Sequence, residues 1–461
     1  MIGLILLFIF LLATPCFSEE EIDIAKAINY ALVQNRELVR SALSIDSRAL
    51  GITTAEVEFQ VSIRPEASMG ITGGRETLGY GLGVSKKLIH GTELSAVSRE
   101  SGVGGDTSRR GSIQLEIRQP IFRNFGSLIH EESLIQSRNN LKTARRRLEM
   151  QKGDLIVRVV ETYENIFKFK HQVKAAQESF NRMDALYRIT KAKELLGRTT
   201  RIDTLRVDLL RGQALSLLES SRERFGSAQR DFAELLGFAP DTVFDLKPSP
   251  LLQFEVPETE NAVKIALENR LDYAQVIQDS EDGERGVRIA EKRLLPDLKL
   301  TGRHEWFGEG RNPSDAWSLD KNGWFIGLSV DTDFNLTRER AQLSEAQINQ
   351  TSSRQTVEII ELSIAREIQQ SLLIYQRVQE ELKIAEKNLG LAEARSKFAR
   401  RLFEIGKGDN FSVTDAERAH LQAGNQLFSA QAEAVISGYR LFRVLGTLVE
   451  SPEGLKPRRV N

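Results

Sequence analysis

The chain has 461 residues, with 63 Lys and Arg against 64 Asp and Glu and a formal net charge of −1. That balance gives no basic field for nucleic acid, and the single cysteine, Cys16, excludes a disulfide framework or a cysteine metal cluster. A hydrophobic content of 41% allows a large folded core and argues against general disorder.

In chain order, the first element is an apolar run from Ile2 to Ala13 with a short tail to Ser18. It is shorter than the ~20 apolar residues of a transmembrane helix. It suits a signal-peptide core, and small residues at Cys16 and Ser18 place cleavage after Ser18. No Lys or Arg precedes the run. Cys16 also admits lipidation, against which Pro15 is an unfavourable neighbour. No later stretch of about 18 residues lacks charges, so a membrane-spanning mature chain must use β-strands.

The remainder is written twice. The segment from Ala27 to Asn35 resembles that from Ala262 to Arg270, and each opens a helical stretch that ends at a proline, Pro65 and Pro296. Further on, Gly197 matches Gly406 and Leu236-Gly237 matches Leu445-Gly446 at a constant offset of 209. Proline is absent between Pro120 and Pro240 and between Pro313 and Pro452, leaving both segments free to be helix. In the first, Leu141, Leu148, Leu155, Thr162, Phe169, Ala176 and Met183 are spaced by sevens, with Val159, Ile166, Val173, Phe180 and Tyr187 interleaved. In the second, Val357, Ile364, Ser371, Val378, Ala385, Ala392 and Ala399 repeat the device. Such a/d seams predict long antiparallel helical hairpins, with Gly197 and Gly406 as the breaks. Each rod is on the order of 100 Å long at ~1.5 Å per residue.

Between each proline and the following long helix the period falls to two, the mark of half-buried strands. Ser112 to Ile117 alternates in the first half, and Trp324 to Val330 in the second. Two strands per half are expected, with room for more in the first segment. Trp306, Trp317 and Trp324 all fall in the second strand segment, where they suit a membrane-interface girdle or a sheet packed on helices. One chain supplies too few strands to close a barrel, so a membrane reading requires several chains to share one.

With Arg118-Gln119-Pro120-Ile121-Phe122 before the first long helix, the Ala-Leu openings and the glycine turns at 197 and 406, the sequence resembles the TolC-like outer-membrane efflux family over about residues 20 to 450. It departs from the family at Asn35-Arg36 and at Asp331-Thr332-Asp333-Phe334. The fold class expected is mainly α with β: two tandem repeats of coiled-coil hairpins plus strand pairs. The expected divisions are a signal peptide at 1–18, a first repeat at 19–247 (strands 65–122, hairpin 126–237), a second at 248–450 (strands 296–336, hairpin 337–446) and a tail at 451–461. The resemblance implies a homotrimer whose chains share one outer-membrane β-barrel, continued by a periplasmic α-helical barrel that meets an adaptor protein and an inner-membrane transporter. It implies a passive exit duct for small molecules. The alternatives are a duct for protein secretion and a periplasmic coiled-coil scaffold without a pore.

The resemblance also implies a gate at the helical turns. Family acids lie six and nine residues after the second turn glycine, here Ser412 and Asp415, so one of two rings is absent. Phe403 stands where the family has a tip aromatic, Gly408 where it often has arginine, and Asp203 where an acid ties neighbouring helices. The closing network is therefore expected to rest more on packing than on charge. Arg198, Thr199, Lys407, Asp409 and Asn410 are the expected adaptor-contact residues. For Asp415 the alternative is a solvated helix residue, and for Asp203 stabilisation of a first helical turn. His90, His130, His171, His304 and His420 lack metal-ligand spacing, and Gly79 to Gly83 is not a nucleotide loop. No enzyme, cofactor, metal or nucleic-acid partner is expected.

Overall fold

The computed structural model describes residues 21–72, 75–103, 109–249, 256–405 and 407–457. The expected leader with Cys16, and the turn glycine Gly406, lie outside them. The chain divides into two compact units, and each draws on both sequence halves.

The first unit (residues 1–39, 151–263 and 367–450) is built on helices. Its short parallel strands β1 (Glu21–Ile22) and β6 (Asp245–Leu246) pair with each other. Helix α1 (Ile24–Gln34) is capped by Asp23, whose carboxylate accepts from the Lys26 amide. The long helices are α4 (Glu132–Leu195), α5 (Arg201–Leu236), α9 (Thr337–Glu404) and α10 (Asn410–Leu445). The unit boundary falls within α4 and α9. Seam residues Leu155, Val159, Ile166 and Val378 are all buried, as the seven-residue spacing predicts. Val378, Leu382 and Ala385 of α9 pack on Leu427 and Ala434 of α10.

Two details fix the start of the chain in this unit. The Tyr163 hydroxyl on α4 lies 2.9 Å from the Ile22 carbonyl and 2.5 Å from that of Lys247, so one buried side chain holds both β1 and the strand beside it. Asn35 ends α1 and opens α2 (Arg36–Val57): its side-chain amide donates to the Leu235 carbonyl, and its oxygen accepts from the Glu37 and Leu38 amides. Gly237, which ends α5 with φ +90°, faces the Gln34 carbonyl so closely that a Cβ would meet its oxygen at 2.5 Å. Only glycine serves there.

The second unit (residues 40–150, 264–366 and 451–461) carries the main sheet. Six antiparallel strands run in the order β2 (Ser62–Thr72), β3 (Arg75–Lys87), β4 (Glu93–Val103), β5 (Arg109–Pro120), β7 (Asp297–Gly310) and β8 (Lys321–Asp331). The first half thus supplies four strands where two were the base expectation. Pro65 lies within edge strand β2 opposite Leu82, and the preceding helix stops at Val57, so this proline does not end a helix. An edge strand tolerates proline because the missing N–H costs no ladder bond on its open side. Pro296 does stand where expected, between α7 (Leu271–Arg293) and β7. The remaining helices are α3 (Ser127–His130), α6 (Thr259–Asn269), in the first unit up to Val263, and α8 (Pro313–Ala316).

The register gives the sheet two unlike faces. Ile63, Val84, Ala96, Leu115, His304 and Trp324 lie across from one another on one face, and the next rows add Leu94, Ile117 and Ile326. The opposite face carries ion pairs between Arg99 and Glu66 (2.7 Å), Arg303 and Glu116 (2.9 Å), and Arg110 and Glu305 (3.2 Å). In the same unit, buried Arg146 donates to the Leu455 carbonyl and to Gln278 of α7, both at 2.9 Å, which ties down the C-terminal segment.

Candidate functional site

The expected gate residues lie at the two turns of the helical unit. At the first, α4 ends in a Schellman-type closure: the Arg198 amide donates to the Lys193 carbonyl at 2.8 Å, and Gly197 takes φ +68°. Thr200 and Asp203 form a reciprocal capping box that starts α5. The Asp203 carboxylate accepts from the hydroxyls of Thr200 (2.6 Å) and Thr199 (3.2 Å), and these bonds, Thr200's foremost, hold it below the usual aspartate range. Oδ2 of this carboxylate thus accepts three bonds within its own turn, the arrangement of a residue that starts a helix. Arg198 is exposed and Thr199 half-buried.

At the second turn, the Lys407 amide closes α9 on the Leu402 carbonyl at 2.9 Å. Asp409 caps α10 by accepting from the Ser412 amide at 2.7 Å, and hydrogen bonds from Ser412 lower its carboxyl. Asp409 and Ser412 are thus cap and partner. Asn410 is the first residue of α10, and Lys407 is exposed. A Cβ at Gly408 would meet the Phe403 amide nitrogen at 2.9 Å and the Leu402 carbonyl carbon at 3.1 Å, so the turn has no room for a side chain where the family often has arginine.

Phe403 joins the two turns. Its ring packs on the cluster of Met183, Leu186, Val207, Ala214 and Val413, and Lys193 Nζ stands 3.9 Å from its centroid. That cation–π contact takes the place of a hydrogen bond the ring cannot make.

Asp415 pairs with Arg395 of α9. A carboxylate so neutralised presents less negative potential than an unpaired one. Two residues on, Glu417 is 3% exposed and gathers Arg182 Nε at 2.6 Å, the Ser396 hydroxyl at 2.7 Å and Arg400 Nε at 3.1 Å. It joins α4 of the first hairpin to α9 and α10 of the second. Sequence reasoning passed over this node, and only a glutamate two positions from an expected acid signalled it. The charge pairing near the turns is consequently richer than the expected reliance on packing.

The tryptophans separate. Trp306 on β7 and Trp324 on β8 share the apolar face, and Trp324 is 76% exposed. Trp317, just after α8, is half-buried and its indole donates to Glu100 at 2.6 Å. Among the described residues no helix is long and apolar enough to cross a membrane, and no group of three His, Cys, Asp or Glu could hold a metal ion.

Residues 262–447 match the family model of the outer membrane efflux proteins. The match covers less than half of the chain. The chain is 19% identical over 372 residues to outer membrane efflux protein BepC of Brucella suis biovar 1 (strain 1330), spanning 78% of its own length and 77% of BepC. It is 24% identical over 194 residues to nodulation protein T of Rhizobium leguminosarum bv. trifolii, spanning 42% of its own length and 41% of that protein. In fold it is similar to the crystal structure of CusC (TM-score 0.71, 16% identity, 94% of this chain and 95% of that one). It is likewise similar to the VceC outer membrane protein of Vibrio cholerae (TM-score 0.70, 13% identity, 92% and 96%).

Proposed function

We propose that this chain is an outer membrane efflux protein that works as a homotrimer, the passive exit duct of a tripartite pump that expels small molecules through a periplasmic adaptor from an inner-membrane transporter. The observation that carries this reading is the conjunction, in one chain whose residues 262–447 match the outer membrane efflux model, of a sheet with one apolar and one charged face and two seam-packed helical hairpins. A sheet of that kind suits lipid on one side and water on the other.

The turns form the narrow end. Phe403, Gly406, Ser412 and Asp415 of one hairpin and Gly197 and Asp203 of the other surround the constriction, while Arg198, Thr199, Lys407, Asp409 and Asn410 meet the adaptor. Trp306 and Trp324 sit at the lipid interface, and Trp317 lies near them. The duct supplies no energy; the partner transporter does.

Two measurements test this together: dye accumulation in cells lacking the protein, and planar-bilayer conductance of the detergent-extracted protein. Raised accumulation reversed by re-expression, with a small-conductance pore, is the expected result. A water-soluble protein without pore activity favours the scaffold and removes the duct.

A further inference from the structure

We propose that the segment between β7 and β8 is a clasp shut on the lipid-facing wall of the sheet and held there by Glu100, and that the sheet enters the membrane only with the clasp shut. The inference rests on the reading above, in which the apolar face of the sheet meets lipid.

The register fixes where the clasp lies. Tyr80 on β3 stands opposite Glu100 on β4, Glu100 opposite Gly111 on β5, and Gly111 opposite Gly308 on β7. Because side chains alternate along a strand, this row projects from the same face as the next row but one, which carries Leu82, Ile113 and Trp306. Helix α8 lies on the row where it has no side chains. A Cβ at Gly111 would meet the Ala316 carbonyl oxygen at 2.7 Å, and one at Gly308 would meet the same oxygen at 2.6 Å. Ala316 is fully buried. The chain then returns to β8 through Leu319, whose φ of +49° is a left-handed conformation that leucine seldom adopts.

Glu100 accounts for the arrangement. It is 2% exposed, and its carboxylate accepts from the Trp317 indole at 2.6 Å, from Arg109 at 3.2 Å and from the Tyr80 hydroxyl. Tyr80 and Arg109 belong to the strands themselves, whereas Trp317 is brought in by the segment after α8. An apolar residue at this position would suit lipid and offer the indole N–H no acceptor. A carboxylate on a lipid-facing wall is unfavourable unless it is covered and paired. The two therefore depend on each other: Glu100 holds the segment down, and the segment covers Glu100. With the clasp open, the carboxylate would stand uncovered beside the exposed side chains of Leu78 and Leu82, so closure has to precede contact with lipid. The outward residues Arg311, Ser314, Asp315 and Asp320 are exposed and polar, which suits lipid headgroups rather than hydrocarbon.

The test is the amount of folded protein recovered in the outer-membrane fraction. Trp317→Ala is expected to lower it several-fold, and Trp317→Phe, which keeps a ring and loses the N–H, to lower it less. Combining Trp317→Ala with Glu100→Gln is expected to regain most of the wild-type level, because the uncovered group is then neutral. A double variant no better than Trp317→Ala overturns the inference, since the indole would then act through packing alone, and so does a Trp317→Ala level equal to that of the wild type. The position of the clasp has its own check. In a Cys16→Ser background, a fluorophore on Ser314→Cys should be quenched by brominated phospholipid in vesicles holding the protein. Inserted protein whose fluorophore escapes that quenching overturns the clasp and leaves the duct intact, whereas wild-type protein that never enters a membrane removes the reading on which the clasp rests.

Discussion

Glu417 shows what a single carboxylate can hold together. It is buried against Arg182, Arg400 and Ser396, and removing one member of such a group leaves the others poorly compensated. Glu417→Ala is expected to cost about 3 kcal/mol in chemical denaturation, with Glu417→Gln recovering part of the loss. Asp415 behaves differently because Arg395 screens it. In bilayer recordings Asp415→Ala is expected to change cation selectivity little, whereas Arg395→Ala, by unmasking the carboxylate, raises it. Glu164 on α4 supplies a pH signature. Burial pushes its carboxyl up, a pull that the neighbouring Ser249 hydroxyl only partly offsets. The folded state therefore holds this proton longer than the unfolded chain, so its contribution is full below the ordinary glutamate range and is lost as pH rises through the raised value. Urea unfolding should find Glu164→Gln more stable than the wild type at neutral pH, on the order of 1 kcal/mol, with the difference vanishing in acid. None of these roles was legible from the residues alone. Arg182 is 235 positions from Glu417, and a polar stretch such as Asp415-Ala416-Glu417-Arg418 reads as a solvated helix face.

Among the elements, the helices were the most legible. A seven-residue spacing sustained from Leu141 to Met183 and from Val357 to Ala399 leaves few alternatives to paired long helices. The strands were harder to read. In β4 the row that continues the apolar face reads Leu94, Ala96, Ser98, Glu100, Gly102, and its polar end hides the alternation. The reason is tertiary: Glu100 is covered by Trp317, Tyr80 and Arg109, so this position of the face meets a side-chain cluster that supplies its partners. The turn at Gly408 carries its own prediction. Because a Cβ already meets the Phe403 amide, Gly408→Arg forces the turn open and is expected to cost about 1–3 kcal/mol. Hydrogen exchange of the amides from Leu402 to Ser412 checks it, with faster exchange the expected outcome.

At the scale of the whole molecule, the constant offset of 209 made the duplicated plan readable, while the strand total of the sheet was not. The helical repeat is recorded in side-chain periodicity, but in the proposed trimer the closing partner of an edge strand is another chain and leaves no periodic trace. The bare backbones of β2 and β8 tie folding to concentration. A lone chain would carry 11 residues of unmet edge on either side of its sheet, so the finished ring and the isolated chain are not one species at two levels of assembly. Stability becomes a property of the population, and the melting temperature of the detergent-extracted protein should climb with protein concentration while dissociation of the ring accompanies unfolding. A cell producing too little of the chain would then have disproportionately few channels, since ring formation by three copies falls faster than synthesis does.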